Sequence, residues 1–553
     1  MTTQDAWWRT GVIYQIYPKS FQDSTGNGCG DLAGIIRRLD YLHQLGVDAL
    51  WLTPIFVSPQ VDSGYDVADY YAIDPAYGTL AEFDRLVAAV HQRGMRIILD
   101  MVLNHSSTAH AWFQAGRTPG NPHRSYYFWR DGKDAGPPNN WQSKFGGSAW
   151  RRSGPDGQYY LHLYSREQAD LNWEQPALRA ELKNICRYWA ERGIDGLRLD
   201  VINVISKHPR LPDAPLGDGR PFYTDRPRVQ DFLREMNTEV FSPYGLTTVG
   251  EMSSTSLAKC RHYANLNGSQ LSMVAHFHHL KVDYRNGEKW ALAAPDYVLL
   301  KQIFNRWQRG MHNRAWNTLF WCNHDQPRIV SRFGDEGPLR VVSAKMLAMA
   351  LHGMQGTPFI YQGEELGMTN PHFTHIDQYR DVESLTMYHE GVARGVDTIR
   401  LLHILAARSR DNGRTPMPWK AGANAGFSTG TPWIERGDNA DSINAQAALA
   451  DKTSVFYCYQ ELILLRKTLP ILAQGDYRDL SPTHPALWHY QRTWLGQHLL
   501  VLVNLSNQAQ AWQPAHTYCG TWRRLISNYC DTPDRPHALT LRPYEAVYWL
   551  HAP

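Results

Sequence analysis

Apolar residues recur at helical spacing in LAGIIRRLDYLHQLG, where Leu32, Ile35, Ile36, Leu39 and Leu42 share a face and Gly46 ends the run. The short apolar stretch VDALWL follows at once and reads as a strand buried on both faces. The same order returns twice. EFDRLVAAVHQRG sets Phe83, Leu86, Val87 and Val90 on one face, stops at Gly94 and leads into MRIILDMV. ALRAELKNICRYWAERG does the same with Leu178, Leu182, Ile185 and Trp189, stops at Gly193 and leads into IDGLRLDV. A helix, a glycine cap and a buried strand, repeated, describe parallel βα units. GVIYQIY, LTTVGEM, LSMVAHF, WNTLFWC and GTPFIYQ supply further strands. The predicted fold is α/β, a (β/α)8 TIM barrel rather than one nucleotide-binding half-sheet.

Two stretches break this pattern and a third replaces it. Residues 105–171 are rich in Gly, Pro, Asn and aromatics without a helical repeat, and are too long for a structureless loop. A small inserted domain after strand three is predicted there. The Gly- and Asn-rich segment from about 371 to 440 reads as a loop insertion near the active face. From about 480, ALWHYQRTW, HLLVLVNLS and YEAVYWL are strands without intervening helices, which predicts a C-terminal antiparallel β-sandwich over 480–553. The barrel then takes 1–104 and 172–479.

Charge narrows the partners. Lys and Arg total 56 and Asp and Glu 53, a net charge of +3, so no global field favours nucleic acid or an anionic membrane. An apolar content of 43% with 20% charged residues excludes a mainly disordered chain. No run reaches the ~20 apolar residues of a membrane span. Seven scattered cysteines show no Cys-x-x-Cys or zinc spacing and point to a reducing compartment. The opening residues lack the basic start and continuous apolar stretch of a secretory signal. A cytoplasmic protein is therefore expected. The 20 Trp and 29 Tyr suit either a sugar site or a well-filled core.

Reactive groups in such a barrel come from the C-terminal ends of its strands. Those ends carry Asp100 and His105, Arg198 and Asp200, Glu251, and His324 with Asp325. Any one of them could be a helix cap or a salt bridge. Several carboxylates at one mouth, however, are costly unless paired, hydrogen-bonded or functional. Two carboxyl groups flanking a scissile bond are the equipment of glycoside hydrolysis. Arg198, two residues before Asp200, projects to the same side of the strand and can keep Asp200 ionised. Glu251, after an apolar strand, suits a general acid of raised pKa. Residue chemistry by itself ends at a carbohydrate-cleaving barrel.

Asp100-Met-Val-Leu-Asn-His105, Gly196-Leu-Arg-Leu-Asp200, Val249-Gly-Glu251 and Asn323-His-Asp325 resemble the four sequence blocks of the α-amylase superfamily (glycoside hydrolase family 13). YQIYPKSF, GVDALWLTP, QADLN and YQGEELGM resemble its oligo-1,6-glucosidase-like branch. The resemblance covers essentially the whole chain. It implies a retaining double displacement, with Asp200 as nucleophile, Glu251 as acid/base and Asp325 as the group that orients the sugar hydroxyls. His105, His324 and Arg198 would hold the −1 site. Asp62 and Tyr65 would close the non-reducing end, with Arg414 of RTPMPW as the partner of Asp62. Where the family has Gln in RTPMQW, this chain has Pro418. Val201 matches members that prefer α-1,6 or α-1,1 links, although valine is also a favoured strand residue.

FHHLKVDYRNGEKW, EMSSTS and GMQGTPFIYQGEELGMTNPHF resemble the group within this branch whose members hydrolyse trehalose 6-phosphate. A phosphate carries roughly −1.5 to −2 charges near neutral pH. His279, Lys281 and Lys289 are the candidate cationic donors, each weighed against a solvated basic loop. Hydrolysis of trehalose 6-phosphate to glucose and glucose 6-phosphate is the expected activity. Cleavage of unphosphorylated isomalto-oligosaccharides is the alternative. No organic cofactor is required for carboxylate chemistry. The loop Asp23, Thr25, Asn27, Cys29 and Asp31 resembles the family's calcium loop, with Thr25 and Asn27 as poorer ligands, so at most a weak structural calcium or magnesium site is expected.

Overall fold

The computed structural model describes residues 6–514 and 518–551, so the extreme ends of the first and last predicted segments lie outside it. Each of the predicted barrel runs contributes one parallel strand. They are β1 (Ile13–Ile16), β2 (Ala49–Leu52), β3 (Arg96–Met101), β4 (Gly196–Leu199), β5 (Thr247–Glu251), β6 (Met273–Ala275), β7 (Thr318–Leu319) and β8 (Thr357–Tyr361). The ladder runs β6-β5-β4-β3-β2-β1-β8-β7. A parallel bridge between Val274 and Asn317 joins its two ends. The sheet is thus an eight-stranded TIM barrel. In its register Arg198 lies level with Asp100 on one side and Val249 on the other. Charged side chains of neighbouring strands therefore meet at one level of the barrel mouth.

The first predicted helix is two. α1 (Leu32–Arg37) and α2 (Leu39–Leu45) are separated at Arg38, whose φ of −107° and ψ of 4° are not helical. Asp31 caps α1 by accepting from Gly34 N at 2.6 Å. Gly46 ends α2 at φ 97°, a left-handed conformation that costs glycine nothing. α3 (Leu80–Gln92) opens on a Thr79–Glu82 capping box, and α4 (Pro176–Glu191) opens on a proline.

The stretch 105–171 is pinched at its base, where His105–Ser107 pairs antiparallel with Gln168–Asp170. Inside it Trp129–Arg130, Tyr159–Leu161 and Trp150–Arg152 form a three-stranded sheet. Phe128, Trp141, Trp150 and Leu161 pack on Val201, Val204, Leu211 and Tyr223 from the loop after β4. Two loops thus share one small core above the barrel.

The segment 371–440 is not one loop. It contains α5 (Val382–Ala393) and α6 (Thr398–Arg408), capped by Asp381 and Asp397. Leu401 and Leu405 give α6 a buried face that the surrounding Gly and Asn obscure in the sequence. At the C-terminus a five-stranded antiparallel sheet begins at Asp476, earlier than the predicted 480, and a two-stranded ribbon faces it. Leu500, Leu502 and Trp549 pack toward Trp512 and Leu541 of the ribbon. The alternate residues, Tyr490, Val501 and Tyr548 among them, pack on the barrel. Tyr490 OH donates to Ala350 O at 3.0 Å. Among the described residues no helix is long and apolar enough to cross a membrane.

Candidate active site

Arg198 holds three carboxylates at the C-terminal mouth of the barrel. Its Nη1 donates to Asp100 at 2.9 Å and to Asp200 at 2.7 Å, and its Nη2 lies 2.7 Å from Glu251. The guanidinium is buried and planar, so one side chain fixes three partners in one geometry. Asp100 is further held by Trp51 Nε1 at 3.1 Å and Tyr65 OH at 2.8 Å. Glu251 accepts from the backbone N–H of Val201 at 3.1 Å. Val201 itself stands at φ 38° and ψ 39°, a conformation costly for a β-branched residue. That strain sits directly after Asp200 and turns the chain sharply out of β4.

The environments push the acids apart. Burial raises Glu251 to about 8, against the opposing pull of Arg198. Burial also raises Asp200, to about 6, again against Arg198. Asp325 moves the other way. Burial alone would raise it, but His324, Arg410 and Arg414 hold it well below the usual carboxylate range. Burial keeps the His324 ring neutral down to about 3, so at neutral pH the two guanidiniums carry that effect. Arg414 Nη2 lies 2.9 Å and Arg410 Nη1 3.3 Å from Asp325.

A pocket opens over these groups, with Asp62, Tyr65, His105, Asp200, Glu251 and Asp325 in its wall. Arg198, His324 and Arg414 stand directly behind that wall. His324 stacks on Tyr65 with ring centroids 5.1 Å apart, and Gln15 Nε2 meets its Nδ1 at 2.7 Å. His105 Nε2 meets the carbonyl of Tyr65 at 3.1 Å. One pairing differs from the sequence reading. Arg410, not Arg414, reaches Asp62, at 2.9 Å, and it also bridges to Asp381. Arg414 is instead drawn to Asp325 and to the carbonyl of His324 at 2.8 Å. Arg410 opens the short turn Arg410–Gly413 and Arg414 follows it, so the turn aims both at neighbouring acids.

The outer wall also departs from the sequence reading. Lys281 and Lys289 line the pocket, but Lys289 ends on Glu383 at 2.5 Å. His279 is not there. The turn His278–Lys281 points it into the barrel, where Nε2 meets the carbonyl of Phe320 at 2.7 Å among Phe304 and Phe320. Its neighbour His278 lines the pocket instead. In the loop after β1, Asp23 accepts from the N–H groups of Thr25, Gly26 and Gly28 and from Ser428 Oγ. Asp31 accepts from Ser24 and Gly34 N–H, and Asn27 Oδ1 from Cys29 N–H. These hydrogen bonds hold the loop's own turn and cap the helix that follows it. Among the described residues no group of three or more His, Cys, Asp or Glu side chains is arranged to hold a metal ion.

Several wall residues had no sequence signal of their own. Lys144, Phe145 and Tyr164 come from the insert and Glu383 from α5. Gln168 donates to Asp62 at 3.0 Å; its place in QADLN marks the block but not that contact. Arg410 shares the block SRDNGRTPMPW with Arg414, and spacing alone does not say which of the two reaches Asp62.

The α-amylase catalytic-domain family model matches residues 15–475. Over its full length the chain is 64% identical to the whole of a trehalose-6-phosphate hydrolase from Escherichia coli K12. It is 53% identical over 99% of both chains to a trehalose-6-phosphate hydrolase from Bacillus subtilis 168. The crystal structure of trehalose-6-phosphate hydrolase from Bacillus licheniformis superimposes with a TM-score of 0.95 at 52% identity, covering 99% of this chain and all of that one.

Proposed function

The chain belongs to the α-amylase family and is a glycoside hydrolase of its oligo-1,6-glucosidase-like branch, and we propose that it hydrolyses trehalose 6-phosphate to glucose and glucose 6-phosphate. The observation that carries this reading is the division of the pocket: acids of separated pKa on the barrel side, and on the outer side Lys281, which no carboxylate among the described residues answers. A substrate with a neutral sugar at one end and a phosphate at the other matches that division. The names of the relatives support the same choice.

The unphosphorylated glucosyl unit enters first. Asp62, fixed by Arg410 and Gln168, hydrogen-bonds its far hydroxyls and closes the pocket there. Asp200 is ionised above about pH 6 and attacks the anomeric carbon while Glu251, protonated below about pH 8, gives its proton to the bridging oxygen. The C1–O bond breaks, glucose 6-phosphate leaves, and a glucosyl ester forms on Asp200. Glu251, now a carboxylate, takes a proton from water, whose oxygen attacks the same carbon and releases α-glucose. Asp325, held anionic by Arg410 and Arg414, is placed to bind hydroxyls and balance the positive charge that develops at the ring. The two carboxyls supply the proton transfers and the covalent step, so no resident cofactor enters this scheme. Proton NMR of the reaction in buffer tests the reading. Glucose should appear first as the α-anomer together with one equivalent of glucose 6-phosphate; release of inorganic phosphate and trehalose would contradict it.

A further inference from the structure

The outer wall holds a second cation without a counter-ion. Lys144 lies in the insert and shares the pocket with Asp200, Glu251 and Lys281. Its ammonium donates to Ser253 Oγ, two residues beyond Glu251. It also stands 5.5 Å from the ring of Tyr164 and 5.6 Å from that of Tyr223. No Asp or Glu among the described residues pairs with it, whereas Lys289 across the pocket is neutralised by Glu383. Arg220, the other cation nearby, is occupied by Asp218 at 2.6 Å.

The backbone places this lysine firmly. Lys144 N donates to Leu163 O at 2.8 Å, and Ser143 N to Gly147 O at 2.9 Å. Ser143 Oγ donates to Tyr164 O at 2.7 Å, so the bend is tied to residues 163–164, just beyond the strand Tyr159–Leu161. Burial lowers the ammonium to about 8; Glu251 opposes that fall, and Arg220 and Lys281 add to it. A half-buried charge beside like charges is costly until an anion arrives. The position beside Ser253 is on the leaving-group side, because Ser253 follows the acid that protonates the leaving oxygen.

We propose that Lys144 is a specificity-determining residue whose ammonium, with that of Lys281 and the hydroxyl of Ser253, binds the phosphate of the leaving glucose 6-phosphate unit. This rests on the phosphorylated-substrate reading above. In it the barrel recognises the sugar and the inserted segment recognises the phosphate. Lys281 comes from the loop after β6 and Lys144 from the insert, so the phosphate would bridge two elements that no salt bridge joins among the described residues.

The test compares wild type with Lys144→Met, which keeps the stem and removes the charge, and with Lys144→Arg, which keeps a cation. Trehalose 6-phosphate and 4-nitrophenyl α-glucoside are the substrates, and glucose 6-phosphate is the inhibitor of aryl-glucoside hydrolysis. In Lys144→Met the ratio of kcat/KM for the phosphorylated sugar to that for the aryl glucoside should fall ~10- to 100-fold, carried by KM. The inhibition constant for glucose 6-phosphate should weaken by a similar factor, and Lys144→Arg should recover much of both. If wild type prefers the phosphorylated sugar and Lys144→Met keeps that ratio and that inhibition constant, the assignment of Lys144 is overturned while the activity stands. A wild type without preference for phosphate on the substrate overturns the activity reading itself.

Discussion

Arg198 carries one positive charge and touches three acids, Asp100, Asp200 and Glu251. With all three ionised the cluster would be doubly negative in a buried mouth, so a proton must be retained. The acid with the highest pKa keeps it, and that is Glu251, at about 8 against about 6 for Asp200. Asp100 is likewise raised to about 6, but Asp200 and not Asp100 lines the pocket, so electrostatics select the general acid and position selects the nucleophile. The sign follows directly. Activity is lost as pH falls through about 6, because Asp200 gains a proton, and as pH rises through about 8, because Glu251 loses one. The kcat/KM profile for trehalose 6-phosphate should be a bell with those limbs. Glu251→Gln should lower kcat by about 10²–10⁴ for the natural leaving group and much less for an aryl leaving group that needs no proton. A profile flat from pH 5 to 9 would remove both roles. The carboxylates were legible in the sequence because each follows a buried strand. His279 was not, because one residue of a tight turn decides whether a ring faces the pocket or the core.

At the scale of elements, the wall opposite the carboxylates is built by connections rather than by strands. The turn Arg410–Gly413 presents Arg410 to Asp62 and Arg414 to Asp325, and α5 supplies Glu383 to Lys289. Arg410 is buried with Asp62 and Asp381, so its loss strands two charges, a defect of about 3–5 kcal/mol. Arg410→Lys keeps a charge but loses the fork that spans both acids. It should lower Tm and raise KM about tenfold for trehalose 6-phosphate and for 4-nitrophenyl α-glucoside alike, since it frames the sugar that both share. An effect confined to the phosphorylated substrate would place Arg410 on the wrong side of the scissile bond. The helices and glycine stops of the barrel were readable because each local signal agrees with the global fold. Lys144 was unreadable for the opposite reason. It sits in WQSKFGGS, a run without periodicity, and gains its place only from the pairing of that bend with Leu163 and Tyr164.

Over the whole molecule, the barrel fixes the acids and two loops close over them. The ladder β6-β5-β4-β3-β2-β1-β8-β7 sets Asp100 and Arg198 level, and the core shared by the insert and residues 201–223 brings Lys144 to the far wall. The C-terminal sheet buries Tyr490 and Tyr548 against the barrel and, among the described residues, supplies none to the pocket wall. Its strands were legible as alternating runs, but not the Asp476–Asp479 edge, whose DYRD sequence has too few apolar residues to announce a strand. On the proposed reading the pocket has a sugar end among the acids and a phosphate end at Lys144 and Lys281, and the substrate must supply both groups. The most direct test is kcat/KM for trehalose 6-phosphate, trehalose and isomaltose on one preparation. The expected result is a preference for the phosphorylated sugar by a few orders of magnitude, as two charge-assisted contacts would give. Isomaltose cleaved as well as or better than trehalose 6-phosphate would contradict it, leaving the carboxylates in their roles and Lys144 and Lys281 without a part in substrate choice.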